Sequence, residues 1–394
     1  MKNKPLEGLK ALDFTVNVAG PTCTAFLADF GCEVIKIERP KVGDDNRGFG
    51  PLGLISNGLN RGKKSLAMPL KGPESKEIIL KLLQDTDILV EAFRPGVMDR
   101  LGLGYEDVKK INPRIIYASI SLYGHNSKYS QQGGYDMLAQ ARAGIMSMTG
   151  YPDQNPIASG ITMCDQYAGI NAYGGILTAL YSREKTGKGQ HVDIGLFNVG
   201  FVVNDFVEMA AHGYNIIRSG DHHNVLCPYG VFHHRTAGSI IILAISAKLW
   251  ASLCELMGRE DLITHPDFAS NFKRLERREV VNDIITDWVN TFDDLTTLEQ
   301  LLSSKSIPCG KVLTNEEAVA HMRDAGVEMM VAVDPPAQLK ADKAYVRTTA
   351  MKLSDTPGYP VSGAPAVGEN SAAILKQLGY DDDKINELIA EWNS

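Results

Sequence analysis

No apolar run in the 394 residues reaches the roughly 20 residues a membrane helix needs, so no membrane-spanning role is expected. The opening MKNKPLEGLKALDF has no long apolar stretch and runs into an expected strand, which argues against a secretion signal. Paired cysteine spacing is also missing. Cys23, Cys32, Cys164, Cys227, Cys254 and Cys309 are scattered, with no C-x-x-C pair. That excludes a disulfide scaffold and a cysteine zinc site, and it points to reduced thiols in a cytoplasm. Positive charge is not in excess. The formal net charge of -7 argues against general nucleic-acid binding, while leaving room for a local basic pocket. Internal repeats and low-complexity segments are absent.

What is present is an ordinary globular composition, with 44% hydrophobic and 22% charged residues, in a chain long enough for two domains. The first half alternates strand and helix. LKALDFT (9–15), EVIKIE (33–38), DILVEAF (87–93) and PRIIYASIS (113–121) read as strands. A helix opening at Pro21 and closing at Gly31 follows the first, and a helix over 73–84 precedes the third. The order βαβαβ predicts an α/β fold with a mostly parallel sheet and helices on both faces. Ligands then bind beyond the C-terminal strand ends. After HVDIGLF (191–197) the stretch 221–238 reads as loop, followed by a strand over 239–246 and charged helices over 247–258 and 273–303. A smaller α+β domain is placed at 225–315, with linkers at 216–224 and 316–324. The remainder, 1–215 and 325–394, is assigned to a larger domain.

The opening βαβ unit looks like a dinucleotide fold, and Glu38 ends its second strand. However, VNVAGPTCT stands where a nicotinamide enzyme has G-x-G-x-x-G, so the close pyrophosphate approach is missing. His222–His223 and His233–His234 are doublets. Strand neighbours point to opposite faces, so no doublet chelates one metal, and no metal site is expected. Arg39, Arg47, Arg61, Lys63, Lys64, Lys71, Arg94 and Arg100 cluster after strands. They are either a solvated face or a pocket for a phosphate-rich ligand converging on one sheet edge.

One acid has two readings. In SGITMCDQYAGINAYGGILTALYSREKTGKGQ, Ile170, Tyr173, Leu177 and Leu180 recur at helical spacing, and Gly187 and Gly189 stop the helix. Asp165 falls at the expected N-cap, where its side chain would accept backbone N–H bonds and meet the macrodipole. It is a cap or a nucleophile. Gly169, Gly174 and Gly175 are poor helix formers and are expected to admit another backbone or a ligand. Cys164, with no nearby histidine, reads as packing.

AGPTCTAFLADFGCEVIKIERP, VEAFRPGVMDRLGLGYE, NPRIIYASISLYG, TALYSREKTGKGQHVDIGLF and GAPAVGENSAAILKQLGY, in this order over nearly the whole chain, resemble the class III CoA-transferases, the CaiB/BaiF family. The resemblance implies a Rossmann-like large domain built from both chain ends, a small central domain and an interlocked homodimer. It implies transfer of CoA from an acyl-CoA to a free carboxylic acid, with the CoA thioester as substrate and no permanently bound cofactor. The nucleophilic aspartate falls on Asp165. CoA contacts carry over to Val18, Ala19, Arg39, Leu70, Lys71, Phe93, Arg94, Arg100 and Asp136. Tyr135 and Tyr229, with His222 and His223, are expected to line the acid site.

The chain also departs from relatives. Val16 and Val18 stand where some have His and Gln, and Ala92 stands where several have Asn. No run of consecutive glycines occurs in 221–240, where formyl-CoA transferase has a glycine-rich loop. Two other readings compete. An α-methylacyl-CoA racemase has the same fold but uses a G-H-D histidine, and this chain has Gly134-Tyr135-Asp136. Tyrosine, with a pKa near 10, is a poor proton shuttle at neutral pH. A non-catalytic CoA-binding protein has no need of an acid at position 165.

Overall fold

The computed structural model describes residues 4–336 and 339–394. They divide into two compact units. The first gathers the described residues up to Gly144, then Ser159–Asp205 and Glu328–Ser394; the second comprises Ile145–Ala158 and Phe206–Val327. The second unit is wider than the 225–315 span read from the sequence, and it takes in the separate segment Ile145–Ala158.

Six strands in the first unit, β1 (Lys10–Phe14), β2 (Glu33–Glu38), β3 (Lys64–Ala67), β4 (Ile88–Glu91), β5 (Ile116–Ser121) and β6 (Gln190–Gly195), form one parallel sheet in the order β3-β2-β1-β4-β5-β6. This is the doubly wound order, whose crevice lies beyond the carboxyl ends of the strands. Helices cover both faces, and β1, β2, β4 and β5 are almost wholly buried. Leu12 lies beside Ile35 and Leu89, and Leu89 beside Tyr117. On that face Leu12, Leu66 and Leu89 share a core with Ile78 and Ile79 of the helix Pro73–Leu83. The same core takes Ile374, Leu375, Ile385 and Leu388 from the last two helices, Ser371–Gln377 and Asp382–Trp392. Both chain ends therefore build one unit. On the opposite face the helices Ala19–Asp29 and Met163–Thr186 pack against each other and the strands. β10 (Met330–Val333) and β11 (Ala344–Arg347) add a separate antiparallel pair.

The second unit holds an antiparallel sheet of β7 (Tyr229–His234), β8 (Gly238–Leu243) and β9 (Cys309–Lys311). β7 corrects the loop reading of 221–238. Gly230 and Phe232 point inward between less buried neighbours, but the histidines hid this period of two. The run expected to be helical over 273–303 is three helices, Asn271–Glu276, Arg278–Val289 and Leu295–Ser304. Asp294 starts the last by accepting the N–H groups of Thr296 and Thr297 at 2.8 and 2.9 Å.

Candidate active site

The long helix begins at Met163, with Thr162 in the N-cap position. Asp165 is therefore the third helical residue rather than the N-cap, which corrects the capping reading. Its carboxylate accepts no hydrogen bond among the described residues. Its backbone N–H instead donates to Asp136 Oδ1 at 3.1 Å. The buried face of the helix also differs from the expected one. Tyr173 and Leu180 point inward, but Ile170 is exposed, and Cys164, Ala168, Gly169, Ala172 and Ile176 do most of the packing. Small residues let the helix approach its neighbour. A Cβ on Gly169 would stand 2.6 Å from the Ala19 carbonyl oxygen, which bears out the close-approach reading there. A Cβ on Gly174 would meet nothing. This contact brings the Asp165 end of the helix beside the loop after β1.

Two adjoining cavities meet at Asp165. One, of about 500 Å3, is lined by Val16–Ala19 after β1, Ala92–Pro95 after β4, Ser121 and Leu122 after β5, and Gly133–Tyr135. It brings together Val18, Ala19, Phe93, Arg94, Tyr135 and Asp165. The other, of about 600 Å3, adds Asp136, Phe49 and Ile161. Arg39, Leu70 and Phe93 line a smaller neighbouring cavity of about 190 Å3. Lys71 and Arg100 are exposed and line none of these three. Tyr229 belongs to the second unit, at the start of β7, with its ring 4.9 Å from that of His223.

The loops that shape the cavities are held from beneath. Asn17 has φ +67°, a region uncommon for non-glycine residues. Its N–H donates to Asp44 Oδ1 at 2.9 Å. Asp44 pairs with Lys36 at 2.9 Å, and Lys63 pairs with Asp13 at 3.0 Å. These side chains are fully enclosed. Burial alone would raise the Asp13 pKa, but Lys36 and Lys63 outweigh it and hold the carboxyl well below its usual range. Burial pushes Lys63 down to about 8 despite Asp13. After β4, Glu91 accepts the Phe93 N–H at 2.8 Å. Gly133 leaves room for Arg94, whose guanidinium would lie 2.5 Å from a Cβ there.

The expected convergence of basic residues on one edge does not hold for half of them. Arg47 pairs with Glu38 at 2.7 Å, Arg61 with Asp29 at 2.6 Å, Lys63 with Asp13 and Lys64 with Glu33 at 3.1 Å. Their acids lie on β1, β2 and the first helix, so these cations serve the fold. One acid beside these cations was not evident from the sequence. Asp45 lines all three cavities and pairs with Arg39. The D-D pair in VGDDNRG was the available signal.

Asp165 and Asp136 contrast with those paired acids. Both are buried, and neither forms an ion pair among the described residues. Asp136 is held by neutral donors, the Asp165 N–H and Gln140 Nε2 at 2.6 Å. Gln140 Oε1 in turn accepts the Ser159 N–H at 3.0 Å and so fixes the loop leading to the helix. Burial, and then the Asp136 charge, push the Asp165 carboxyl up to about 7. Burial likewise pushes the Cys164 thiol up to about 12, leaving no reactive thiolate beside it. No group of three His, Cys, Asp or Glu side chains is placed to hold a metal among the described residues. His233 bonds Ser239 Oγ, and His234 accepts the Ala237 N–H.

A raised, unpaired carboxylate thus stands beyond the carboxyl edge of a Rossmann-order sheet. The model of CoA-transferase family III matches residues 6–371, and the chain belongs to that family of transferases. The chain is 33% identical to acetyl-CoA:oxalate CoA-transferase of Acetobacter aceti, with 96% of this chain and 97% of that one covered. It is 33% identical to human succinyl-CoA:glutarate CoA-transferase, with 98% and 89% covered. The structure of a CaiB/BaiF family protein from Brucella suis superposes with a TM-score of 0.83 at 30% identity, covering 96% of this chain and all of that one.

Proposed function

We propose that the protein moves CoA from an acyl-CoA to a free carboxylic acid through covalent intermediates on Asp165. The observation that carries this reading is a buried carboxylate, without a cation, that ionises near pH 7 and faces a cavity built from three strand-end loops. The ionised carboxylate attacks the thioester carbonyl, forming a mixed anhydride and releasing CoA thiolate. The thiolate attacks the aspartyl carbonyl, which frees the donor acid and leaves an Asp165–CoA thioester. The acceptor carboxylate attacks that thioester, giving a second anhydride and thiolate. Thiolate attack on its acyl carbonyl then yields the new acyl-CoA and restores Asp165. Covalent catalysis divides the transfer without admitting water.

In this reading Val18, Ala19, Arg39, Leu70, Lys71, Phe93, Arg94 and Arg100 contact CoA, which is a substrate, and no permanently bound cofactor takes part. Asp136 holds the Asp165 backbone and raises its pKa, and Tyr135 and Tyr229 line the acid site. The larger unit is the CoA-binding domain, and the enzyme works in the cytoplasm as an interlocked homodimer. An exposed apolar strip on the first unit, Tyr167, Ile170 and Tyr181 with Phe201 and Val202, supports a second subunit. The relatives' names differ in acid, oxalate in one and glutarate in another, so likeness alone fixes no acceptor. The test is mass spectrometry of the Asp165 peptide after incubation with acyl-CoA. An acyl or CoA adduct is expected, and turnover by Asp165→Ala near the wild-type rate overturns the mechanism. With Tyr135 in place of the racemase histidine, deuterium from D2O should not enter the α-carbon of a branched acyl-CoA.

A further inference from the structure

A row of polar side chains crosses the sheet beneath the cavity loops. Glu91 ends β4 at 2% exposure. It lies beside Ser119 of β5, which is fully buried and in turn lies beside Asp193 of β6. The Glu91 carboxylate accepts the Phe93 N–H at 2.8 Å and the Ser119 hydroxyl. Ser119 has one proton to give and gives it to Glu91. At its 2.9 Å contact with His191 Nε2 the serine oxygen therefore accepts, and the imidazole donates. The bonds run in one direction, from His191 through Ser119 to Glu91. Asp193 holds the next turn in a similar way, accepting the His125 N–H at 2.8 Å and bonding its ring at 3.1 Å. Enclosing a carboxylate at a strand end is costly. Burial raises the Glu91 pKa against the pull of both hydrogen bonds. An apolar side chain there would avoid that cost, but it would release the Phe93 N–H.

We propose that Glu91 is a positioning residue for CoA, holding the Phe93 segment where the thioester needs it, and that Ser119 and His191 hold Glu91. The inference rests on the transferase reading and adds residues that act on CoA through the Phe93 loop. None of the three lines the Asp165 cavity itself. Phe93 lines both that cavity and the smaller one with Arg39 and Leu70. A shift of this one segment therefore changes two walls at once. Ile120, Ser121 and Leu122, directly after Ser119, line the same cavity as Asp165, so the row supports the loops after β4 and β5 together. A misplacement of about 1 Å in such a support can cost about 100-fold in rate.

The test measures the Kd of CoA by calorimetry on the full-length enzyme, with the melting temperature of each variant beside it. Ser119→Ala and His191→Phe keep nearly the same volume and remove one link each, and each should weaken CoA binding by about threefold to tenfold. Glu91→Leu frees the Phe93 N–H and should weaken it by at least about tenfold. Glu91→Gln keeps an acceptor for Phe93 and His191→Gln keeps a donor for Ser119, so both should stay within about twofold of the wild type. Variants that lower the melting temperature and leave the CoA Kd unchanged place the row in the fold alone and overturn the proposal. Glu91→Gln as weak as Glu91→Leu overturns it as well. If Glu91→Leu does not fold, Ser119→Ala and His191→Phe decide. Weakened CoA binding in these variants, with no Asp165 adduct in the wild type, keeps the positioning role and overturns the transferase mechanism. No CoA binding by the wild type overturns both.

Discussion

Two groups of buried acids lie within the same unit and behave in opposite ways. Under the loop after β1, Asp13 and Asp44 are each matched by a lysine, and Asp13 is held low by Lys36 and Lys63 against the pull of burial. Asp165 at the start of the long helix and Asp136 at the start of the helix Asp136–Arg142 meet no cation among the described residues, and Asp165 is raised to about 7. Burial is common to both, so counter-charge decides the outcome. A paired acid holds a loop in place, and an unpaired acid stores free energy that a reaction can release. That is the reason a raised, isolated carboxylate in a cavity marks chemistry while a salt-bridged one marks structure.

Removing the reactive member breaks the comparison most sharply. Asp165→Asn should lower kcat/KM by at least about 10^4-fold, roughly 5 kcal/mol of transition-state stabilisation, in steady-state assays. Next is the structural group. Lys36→Met leaves buried carboxylates without their counter-charge and should destabilise the first unit by about 3–5 kcal/mol in urea unfolding.

The pH dependence sharpens the contrast. Attack needs ionised Asp165, so kcat/KM should fall about tenfold per pH unit below about 7. Asp136→Asn should move that midpoint down part of the way, because burial, the larger cause, remains. The smallest effect is on stability. The folded Asp165 pKa lies above its unfolded value near 3.8, so ionisation penalises the folded state increasingly as pH rises from about 4 to 7. Asp165→Asn should raise the apparent Tm by a few degrees at pH 8 and by less at pH 5, a trade of stability for function.

Much of this was legible in the residues. The βαβαβ order, Pro21 and Gly31 around a helix and the missing G-x-G-x-x-G gave a parallel sheet without a nicotinamide fingerprint. Four of the cavity's strand-end residues, Val18, Ala19, Phe93 and Arg94, follow from motif position. Pairing across the fold was not legible. Which basic residues face a ligand depends on where Asp13, Asp29, Glu33 and Glu38 fall in space, and these partners lie far away in sequence or on other strands. The three-residue shift of the helix start, which moved Asp165 from the N-cap into the first turn, accompanies Asp136 accepting the Asp165 N–H from another helix. β7 was hidden because His233 and His234 obscure its alternation, and the inward Gly230 and Phe232 become evident only beside β8.

The most direct measurement is peptide mass spectrometry of the enzyme trapped during turnover with an acyl-CoA. The account predicts a mass increase matching an acyl or CoA adduct, localised to Asp165 and absent from Asp165→Asn. An unmodified Asp165 peptide under conditions of steady CoA transfer, or an adduct placed on another residue, would contradict it.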